Sequence, residues 1–514
     1  MTSKIDMHST KARYLLQLEE ITKAFPNVLA NNHISFDLQA GEIHALLGEN
    51  GSGKTTLMKV LYGIYKPDSG RIRIEGKEVA ILNPRDAVAQ GIGMVHQNFM
   101  LVPSLTVLEN LMLGFELRRG PILDFKRLQQ DVEEVFANVG LPMVPLNNRI
   151  STLSVGEQQR IEIIKALLHG AKILILDEPT AVLTPQEVER LGKVLLKLRS
   201  DGYGIVLITH KLDEVFEFSD RVTVLRRGER VASMAIREVD KAGLANLMVG
   251  RQIENLDITK IQPCEKEILS LSDVSVCSYN ESQKLERISL AVHQGEIFGI
   301  AGISGNGQRT LADVIFGLQK HDEGEIRFDG HLMQGWNVAK ALNLGIGYIP
   351  EDRQTVGLVL NFTIEENLVV KDSYLSAFSN CGVLNWMKIH KNAETLIQKF
   401  DIRPPQRNMI LRWMSGGNQQ KVIVARELSP ENCLIIAAEP TRGLDVGSVD
   451  YVHRMLLEQR KSGKGVILIS TDLDEVMKLS DRVAVLFRGR IIKTIERGSM
   501  TRGKLGLLMA GVTD

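Results

Sequence analysis

The sequence predicts an α/β protein made of two tandem domains, each with an α/β core, an antiparallel β arm and a helical subdomain. Two observations lead to this fold class. Apolar, strand-like runs alternate with helical stretches, and the second half of the chain repeats the order of the first. Short apolar runs that alternate with helices are typical of a buried parallel sheet.

The elements of the first half can be placed in chain order. Nearly apolar runs predict buried parallel strands at 41–47, 173–176 and 205–208, and helical stretches follow at 55–64 and 185–199. Residues 71–76 alternate with a period of two, which predicts one arm of a hairpin. The stretch from about 100 to 168 is richer in helix and is predicted to be the helical subdomain.

An internal repeat sets the domain organisation. Blocks 41–48, 91–95 and 219–225 recur at 295–302, 345–349 and 480–486. The offset is 254 residues for the first two blocks and 261 for the third. Several matches in one order indicate that a domain has been duplicated. We expect domains at 12–252 and 267–511, joined by a short neutral linker at 253–266.

Composition narrows the class of protein. The 514 residues include 62 Lys and Arg against 62 Asp and Glu, so a chain-wide field that binds polyanions is not expected. The longest apolar runs, such as 172–176, are far shorter than the roughly 20 residues that span a bilayer. The four cysteines show no CxxC spacing, so neither a zinc site nor a disulfide framework is predicted. We expect a soluble or peripheral protein in a reducing cytoplasm.

A phosphate-binding loop is predicted in the first half. Residues 48–55 read GENGSGKT, which fits the pattern of Gly, any four residues, Gly, Lys and then Ser or Thr. The segment follows a predicted strand and precedes a predicted helix, as this motif requires. Backbone amides and the helix N-terminus favour an anion, Lys54 would reach the β- and γ-phosphates, and Thr55 would ligate Mg²⁺. The alternative, a Gly-rich turn with an incidental lysine, fits this context poorly.

Candidate catalytic residues follow the predicted strands. Asp177 suits the Mg²⁺ shell and Glu178 can polarise the attacking water. His210 ends the next strand, where α/β sites assemble, and is expected near the γ-phosphate. Gln97 is expected to sense Mg²⁺ or water, although its type alone also fits an ordinary loop residue. Phe25 lies 23 residues before the loop, where it would either stack on adenine or pack in the core.

Two further segments carry a resemblance to a known family. Residues 153–160 read LSVGEQQR and residues 414–421 read MSGGNQQK, and both resemble the signature motif of ABC ATPases. Signature, phosphate loop, acidic strand and histidine occur in the family's order across nearly the whole chain. The resemblance implies two P-loop ABC ATPase domains that pair head to tail, with each ATP between one phosphate loop and the other domain's signature. The implied nucleotide contacts are Phe25, Gly48, Glu49, Asn50, Gly51, Ser52, Gly53, Lys54, Thr55, Thr56, Ser415, Gly416, Gly417, Asn418 and Asp445.

The second half narrows the resemblance. Residues 350–353 and 440–447 resemble the fused ATPase subunits of simple-sugar and nucleoside importers, and 435–440 is closer to the nucleoside, basic-membrane-protein branch. This implies ATP hydrolysis, with Mg²⁺, coupled to the import of a small polar solute, with a nucleoside favoured. It also implies a peripheral subunit at the cytoplasmic face of the membrane. Its partners would be two integral-membrane permease subunits and, indirectly, an extracellular lipoprotein or periplasmic binding protein, with no nucleic acid.

The two halves differ where the chemistry is expected. At the repeat offsets, Lys54, Thr55, Gln97, Asp177 and His210 correspond to Gln308, Arg309, Glu351, Ala438 and Thr471, whereas Glu439 keeps the carboxylate of Glu178. Under the implied pairing, each half contributes its signature and the turn after its acidic strand to the site of the other half. These segments are altered in the first half, because Val155 stands where the second half has Gly416, and Thr184 stands where it has Asp445. Under the implied pairing, one site is intact and the other is impaired.

Other functions stay open as alternatives. A ribosome-bound tandem ABC protein would be expected to carry a long charged arm between its domains, and a DNA-repair member would carry paired cysteines; the sequence has neither. A noncatalytic scaffold is opposed by the intact first site. A ribose- or galactose-type importer remains possible, because the solute does not touch this subunit.

Overall fold

The chain divides into two compact units, Met1–Ile253 and Glu254–Asp514. The computed structural model describes residues 14–26, 28–96, 99–113, 118–119, 122–123, 125–180, 183, 185–250, 266–278, 283–380, 382–428, 431–509 and 511–512. Most of the predicted linker lies outside these ranges, so its bounds stay a prediction. In the described ranges, no helix has both the length and the apolar character needed to cross a bilayer.

The described part of the first unit alternates strands and helices. Its strands are β1 (Tyr14–Phe25), β2 (Val28–Gln39), β3 (Ile43–Leu47), β4 (Ser69–Ile74), β5 (Lys77–Val79), β6 (Ile92–Val95), β7 (Arg118–Arg119), β8 (Ile122–Leu123), β9 (Ile173–Asp177), β10 (Gly204–Thr209), β11 (Arg221–Arg226) and β12 (Glu229–Ala235). Its helices are α1 (Lys54–Leu61), α2 (Pro84–Ala89), α3 (Val107–Met112), α4 (Phe125–Val139), α5 (Val155–Leu168), α6 (Pro185–Ser200), α7 (Leu212–Phe218) and α8 (Lys241–Val249).

The central sheet of this unit positions the site. Its strand order is β12-β11-β3-β10-β9-β6, and β3, β9 and β10 run parallel to one another. Every residue of these three strands is buried, because helices and the antiparallel arm cover both faces. Their carboxyl ends therefore meet along one edge, where the phosphate-loop segment, Asp177 and His210 follow.

The antiparallel arm and the helical subdomain complete the first unit. The arm has the strand order β2-β1-β4-β5, and it packs against one face of the central sheet through a core that includes Leu16, Ile34 and Ile72. Helices α3, α4 and α5 share a separate core that includes Val132 and Ile161. The arm predicted at 71–76 and the helical region predicted at 100–168 are both confirmed.

One predicted helix is too long at its end. Residues 55–64 were expected to be helical, whereas α1 begins at Lys54 and ends at Leu61. Gly63 adopts φ 76°, and the amide of Ile64 donates to the carbonyl oxygen of Lys59 at 2.8 Å, which closes the helix. A left-handed glycine thus stops the helix before the apolar pattern stops.

The second unit repeats this architecture. Its strands are β13 (Glu267–Val276), β14 (Leu285–His293), β15 (Ile297–Ala301), β16 (Glu323–Phe328), β17 (His331–Leu332), β18 (Ile346–Ile349), β19 (Ser379–Asn380), β20 (Val383–Leu384), β21 (Leu434–Ala438), β22 (Gly465–Ser470), β23 (Arg482–Phe487) and β24 (Arg490–Glu496). Its helices are α9 (Gln308–Phe316), α10 (Val338–Asn343), α11 (Ile364–Val369), α12 (Trp386–Lys399), α13 (Gly416–Glu427), α14 (Val446–Lys461), α15 (Leu473–Leu479) and α16 (Arg502–Met509). The central sheet has the order β18-β21-β22-β15-β23-β24, and the arm has the order β14-β13-β16-β17.

Candidate nucleotide-binding sites

The predicted phosphate loop of the first unit connects β3 to α1. Gly53 ends the loop with φ 101°, a backbone conformation that side chains rarely adopt, and a Cβ atom at this position would press against the carbonyl oxygen of Ala30. The side-chain amide of Asn31 donates to the carbonyl oxygen of Gly53 at 3.1 Å. The β2 strand therefore holds the loop against the N-terminus of α1, which is the end of a helix that favours an anion.

Lys54 closes the loop from inside. Its Nζ donates to the carbonyl oxygens of Gly48 and Glu49 at 2.7 and 2.8 Å, and the residue is only 5% exposed. A buried ammonium group surrounded by backbone dipoles is a strong attractor for phosphate oxygens. The hydroxyl of Ser52 is also buried, and it has no hydrogen-bond partner among the described residues.

Thr55 and Asp177 lie together beside the loop. The Thr55 side chain hydrogen-bonds to the Asp177 carboxyl, whose pKa is raised to about 6 by burial and by the neighbouring Glu178 and is lowered in part by Lys54. Two adjacent oxygen ligands fit Mg²⁺, which takes one or two carboxylate or hydroxyl ligands together with phosphates and water. No group of three or more His, Cys, Asp and Glu is arranged as a metal site among the described residues. Thr55 and Asp177 are therefore the residues of this loop region that could hold a magnesium ion together with phosphate oxygens.

Glu178 and His210 form a pair at the ends of β9 and β10. The Glu178 Oε1 atom lies 3.0 Å from His210 Nδ1. Glu178 has φ 48°, and its amide donates to the carbonyl oxygen of Ile208 at 2.9 Å, so the carboxyl group turns out of the strand. The hydrogen bond from His210 lowers the pKa of Glu178, although burial opposes it. An ionised, half-buried carboxylate with a fixed orientation can accept a proton from water or orient it.

The structure gives the positions of most of the remaining predicted residues of the first unit, but no contact between them and the catalytic carboxylates is seen among the described residues. Phe25 is half-buried, and its ring lies 5.2 Å from the ring of Tyr65 with an edge-on geometry, while Lys23 Nζ lies 5.6 Å from it. Its role toward adenine stays a prediction. Gln97 lies outside the described residues. Asn50 and Gly51 are exposed at the tip of the loop, and Thr56 lies in the first turn of α1.

In the corresponding loop of the second unit, the side chain at the lysine position forms its hydrogen bonds within the loop. Gln308 Nε2 donates to the carbonyl oxygen of Ile303 at 2.8 Å, and the amide of Asn306 donates to Gln308 Oε1 at 3.0 Å. Ile303 corresponds to Glu49 at the repeat offset, so the neutral amide reproduces one contact of Lys54 without its charge. This loop keeps its shape but presents no ammonium group to a phosphate.

Charge is also reversed deeper in the second unit. Lys59 stabilises the ionised form of Asp177 in the first unit, but its counterpart is Asp313. Asp313 accepts a hydrogen bond from the Tyr348 hydroxyl at 3.1 Å, and burial raises its pKa. Neither Asp313 nor Tyr348 belongs to a recognisable motif, but the repeat offset of 254 identifies Asp313 as the counterpart of Lys59. The second unit thus lacks the two lysines of the first unit's loop and helix, Lys54 and Lys59. It also has Ala438 in place of the carboxylate of Asp177.

The retained carboxylate of the second unit has a different partner. Glu439 adopts φ 46°, as Glu178 does, but it accepts a hydrogen bond from the amide of Thr471 at 2.7 Å. Burial raises the pKa of Glu439, whereas the pKa of Glu178 is lowered. The two acids share a backbone geometry and differ in the charge state that their surroundings favour.

The two signature helices begin differently. In the first unit, the Ser154 hydroxyl accepts a hydrogen bond from the Glu157 amide at 3.3 Å, and the Glu157 carboxylate accepts one from the Ser154 amide at 2.8 Å. This capping box lowers the pKa of Glu157 and fixes an anion at the start of α5. In the second unit the neutral Asn418 donates to Ser415 Oγ at 3.0 Å. The position of the capping acid Glu157 is thus held by a neutral amide in the second signature helix, which changes the charge at the start of that helix.

The other predicted residues of the second signature lie close to one another. Gly416 and Gly417 begin α13, and a Cβ atom at Gly416 would come within 2.9 Å of the Arg353 guanidinium. Asp445 caps α14 by accepting a hydrogen bond from the amide of Ser448 at 2.8 Å. The assignment of Ser415, Gly416, Gly417, Asn418 and Asp445 to a nucleotide stays a prediction.

Each unit has a glycine-rich loop at the carboxyl ends of the parallel strands of its central sheet, and each has a signature helix. Together these features define a tandem nucleotide-binding protein. Residues 31–181 and 285–442 match the family described as ABC transporter. The chain therefore belongs to the ABC transporter family, and it is an ATP-binding ATPase with two cassettes in tandem.

Two curated relatives extend over nearly the whole chain. One is the guanosine import ATP-binding protein NupO of Bacillus subtilis, which is 45% identical over 501 residues and matches across 98% of each chain. Another is the nucleoside import ATP-binding protein NupA of Lactococcus lactis, 41% identical over 97% of this chain and 98% of its own. A solved structure of an archaeal ribosome recycling factor, in complex with a ribosomal stalk protein, aligns with a TM-score of 0.57 over 91% of this chain and 87% of its own. At 20% identity, that likeness shows the fold alone.

Proposed function

We propose that this protein is the ATP-hydrolysing subunit of an importer for nucleosides, and that hydrolysis takes place at the phosphate loop of the first unit. The observation that carries the proposal is the set of charges around that loop. Lys54, Asp177 and the Glu178–His210 pair converge there, whereas the second unit has neutral or reversed groups at most of these positions. The names of the two relatives support import, and nucleosides as the solute.

Mg²⁺ would be held by Thr55 and Asp177 together with the phosphates. Gln97, which is also predicted from the sequence to lie at the metal, would be a further ligand. When bound, it neutralises charge that develops on the phosphates. The chain's own residues supply the rest. Lys54 and the loop amides hold the phosphates, and Glu178 orients the attacking water and takes its proton. His210 holds the Glu178 carboxylate in its ionised form through the 3.0 Å hydrogen bond.

The protein would act at the cytoplasmic face of the membrane. We propose two permease subunits as its direct partners, and an extracellular lipoprotein or periplasmic protein that delivers the solute to them. The support is the import function in the names of both relatives. A nucleoside is favoured over a sugar for the same reason, since the solute itself does not contact this subunit.

The experiment that tests the single hydrolytic site compares matched variants of the two loops. Lys54→Ala removes a buried charge that would contact phosphate, and we expect it to lower the ATPase rate of the reconstituted transporter about 100-fold or more. Gln308→Ala removes a neutral side chain whose hydrogen bonds stay within its own loop. We expect less than about a threefold change in rate, because no charge toward phosphate is lost.

Both variants should also be assayed for uptake of radiolabelled guanosine and ribose into proteoliposomes that contain the permeases. Nucleoside uptake should fail with Lys54→Ala and persist with Gln308→Ala. Equal inactivity of the two variants would refute the single-site proposal. Uptake of ribose but not of guanosine by the unaltered complex would refute the proposed solute while leaving ATP hydrolysis in place.

A further inference from the structure

A cavity in the first unit lies away from the phosphate loop. It has a volume of about 300 Å³ and lies between α4, α5 and α6. Its floor is apolar and is formed by core residues that include Val139, Ile163, Leu191 and Val194. Pockets that bind small molecules begin at about this volume and combine an apolar lining with a few polar groups. The space is therefore of the right size for one small organic ligand.

Comparison of the two units shows why the cavity exists. Helices α12, α13 and α14 begin 261 residues after α4, α5 and α6, so each position has a counterpart in the second unit. Val139, Arg190 and Val194 correspond to Phe400, Tyr451 and Met455. Those three larger side chains belong to or pack against the core of the second unit. The space in the first unit is thus the result of three smaller or outward-facing residues in a duplicated framework.

The second unit also closes this region with polar contacts. Lys421 Nζ lies 5.0 Å from the centre of the Tyr451 ring and donates to the carbonyl oxygen of Asp401 at 2.7 Å. The counterpart of Lys421 is Arg160, which makes a longer contact of 3.4 Å with the carbonyl oxygen of Pro142. Protein interiors contain few voids of this size, because an unfilled cavity destabilises the folded state in proportion to its volume. A cavity in one unit whose counterpart positions in the other unit carry packed side chains is a candidate for occupation by a ligand.

The rim of the cavity is basic. Arg160, Arg190, Lys193 and Lys197 line it, against one acid, Glu187. Lys193 is paired with Glu189 at 2.7 Å. Among the residues that the structure describes, neither Arg190 nor Lys197 has a carboxylate oxygen within 4.0 Å. The rim therefore offers two cations to an incoming anion, directly above an apolar floor.

We propose that the α4–α6 cavity binds a small amphipathic anion, with an apolar body of one or two rings and a single carboxylate, sulfonate or phosphate group. The body occupies the space that Phe400, Tyr451 and Met455 fill in the second unit, and the anionic group pairs with Arg190 and Lys197. The cavity also reaches Gly156 and Glu187, in the first turns of α5 and α6. The ligand therefore contacts the first turn of the signature helix. The site is separate from the phosphate loop, and its test does not depend on ATP hydrolysis.

The test uses a pair of fluorescent probes on the full-length chain. Anilinonaphthalene sulfonate has a two-ring body and an anion, and phenylnaphthylamine is the same body without the sulfonate. Both are titrated with excess Mg·ADP, which excludes them from nucleotide sites. We expect one saturable site for the sulfonate, and about tenfold weaker binding of the neutral probe, because a charge-assisted contact is missing.

Variants separate the two parts of the proposal. Val139→Phe, Arg190→Tyr and Val194→Met, made together, introduce the residues of the second unit and should abolish binding of both probes. Lys197→Gln should weaken the sulfonate about tenfold and leave the neutral probe unchanged. Arg237→Gln, an exposed charge elsewhere in the same unit, should affect neither probe.

Circular dichroism is used to check that each variant is folded. If the triple variant does not fold, Arg190→Tyr alone takes its place. Unchanged sulfonate binding in the filled variant would overturn the site. Equal affinity of the two probes, or the same loss from Arg237→Gln as from Lys197→Gln, would overturn its preference for an anion.

Discussion

Replacement of Glu178 by Gln is the sharpest test of the chemistry that we assign to the first unit. The amide has the shape of the carboxylate, so it can keep the contact with His210, which is 3.0 Å from Glu178 Oε1. It cannot take a proton from water. Nucleotide binding should therefore be retained while hydrolysis is lost.

The magnitude follows from the surroundings of the carboxyl group. The hydrogen bond from His210 lowers the pKa of Glu178, so the group is ionised near neutral pH and is ready to accept a proton. Loss of a positioned general base typically slows a reaction by about 10²- to 10⁴-fold, which corresponds to roughly 3–5 kcal/mol of activation free energy. We expect a decrease in turnover within this range, without a matching decrease in the affinity for Mg·ATP.

The second unit supplies the control. Glu439 has the same backbone geometry, but it accepts a hydrogen bond from the Thr471 amide at 2.7 Å and stands beside Ala438 instead of an aspartate. Glu439→Gln should therefore change the ATPase rate by less than about threefold, since no base is lost at a hydrolytic site.

Phosphate release by the purified transporter complex, together with equilibrium binding of a fluorescent nucleotide, measures both quantities. Near-normal turnover of Glu178→Gln would refute its role as the base. An equal loss from Glu439→Gln would refute the inequality of the two units.

Two further predictions concern the first unit's stability and loop geometry. His44 is fully buried between the Asp37 carbonyl oxygen and the Thr223 hydroxyl, and burial lowers its pKa from 6.5 to about 4. The His44 contribution therefore lowers the free energy of unfolding by about 3 kcal/mol as the pH falls from about 6.5 to 4, because the unfolded chain takes up the proton first. His44→Phe should remove this part of the pH dependence of stability, as measured by hydrogen exchange of β3, while carboxyl groups such as Asp177 still titrate in the same range. An unchanged dependence would contradict the assignment. Gly53→Ala should cost about 1–3 kcal/mol of backbone strain at φ 101°, and its Cβ atom would also press against the carbonyl oxygen of Ala30, so nucleotide binding should be lost. Gly51→Ala has comparable backbone strain at φ 80° but meets no neighbouring atom, so it should still bind nucleotide; equal binding by both variants in a filter assay would contradict the loop geometry.

Much of the fold was available in the sequence, because buried parallel strands and phosphate loops leave strong local patterns. The runs 173–176 and 205–208, which precede Asp177 and Thr209, are apolar throughout, and the loop from Gly48 to Thr55 has a fixed spacing of glycines and lysine. These patterns determined the fold class, the repeat and the location of the candidate site. They also showed that Gln308 and Ala438 stand where the first half has Lys54 and Asp177.

Tertiary structure decided what those residues do, because hydrogen-bond partners and burial join positions far apart in the chain. Gln308 closes its own loop, Glu157 places a carboxylate at the start of a signature helix, and Glu178 and Glu439 differ in pKa through their neighbours. The α4–α6 cavity likewise depends on three helices that meet only in the folded unit. Sequence fixes which side chains a position carries, but their charge state and the space between them are properties of packing, which the linear pattern does not contain.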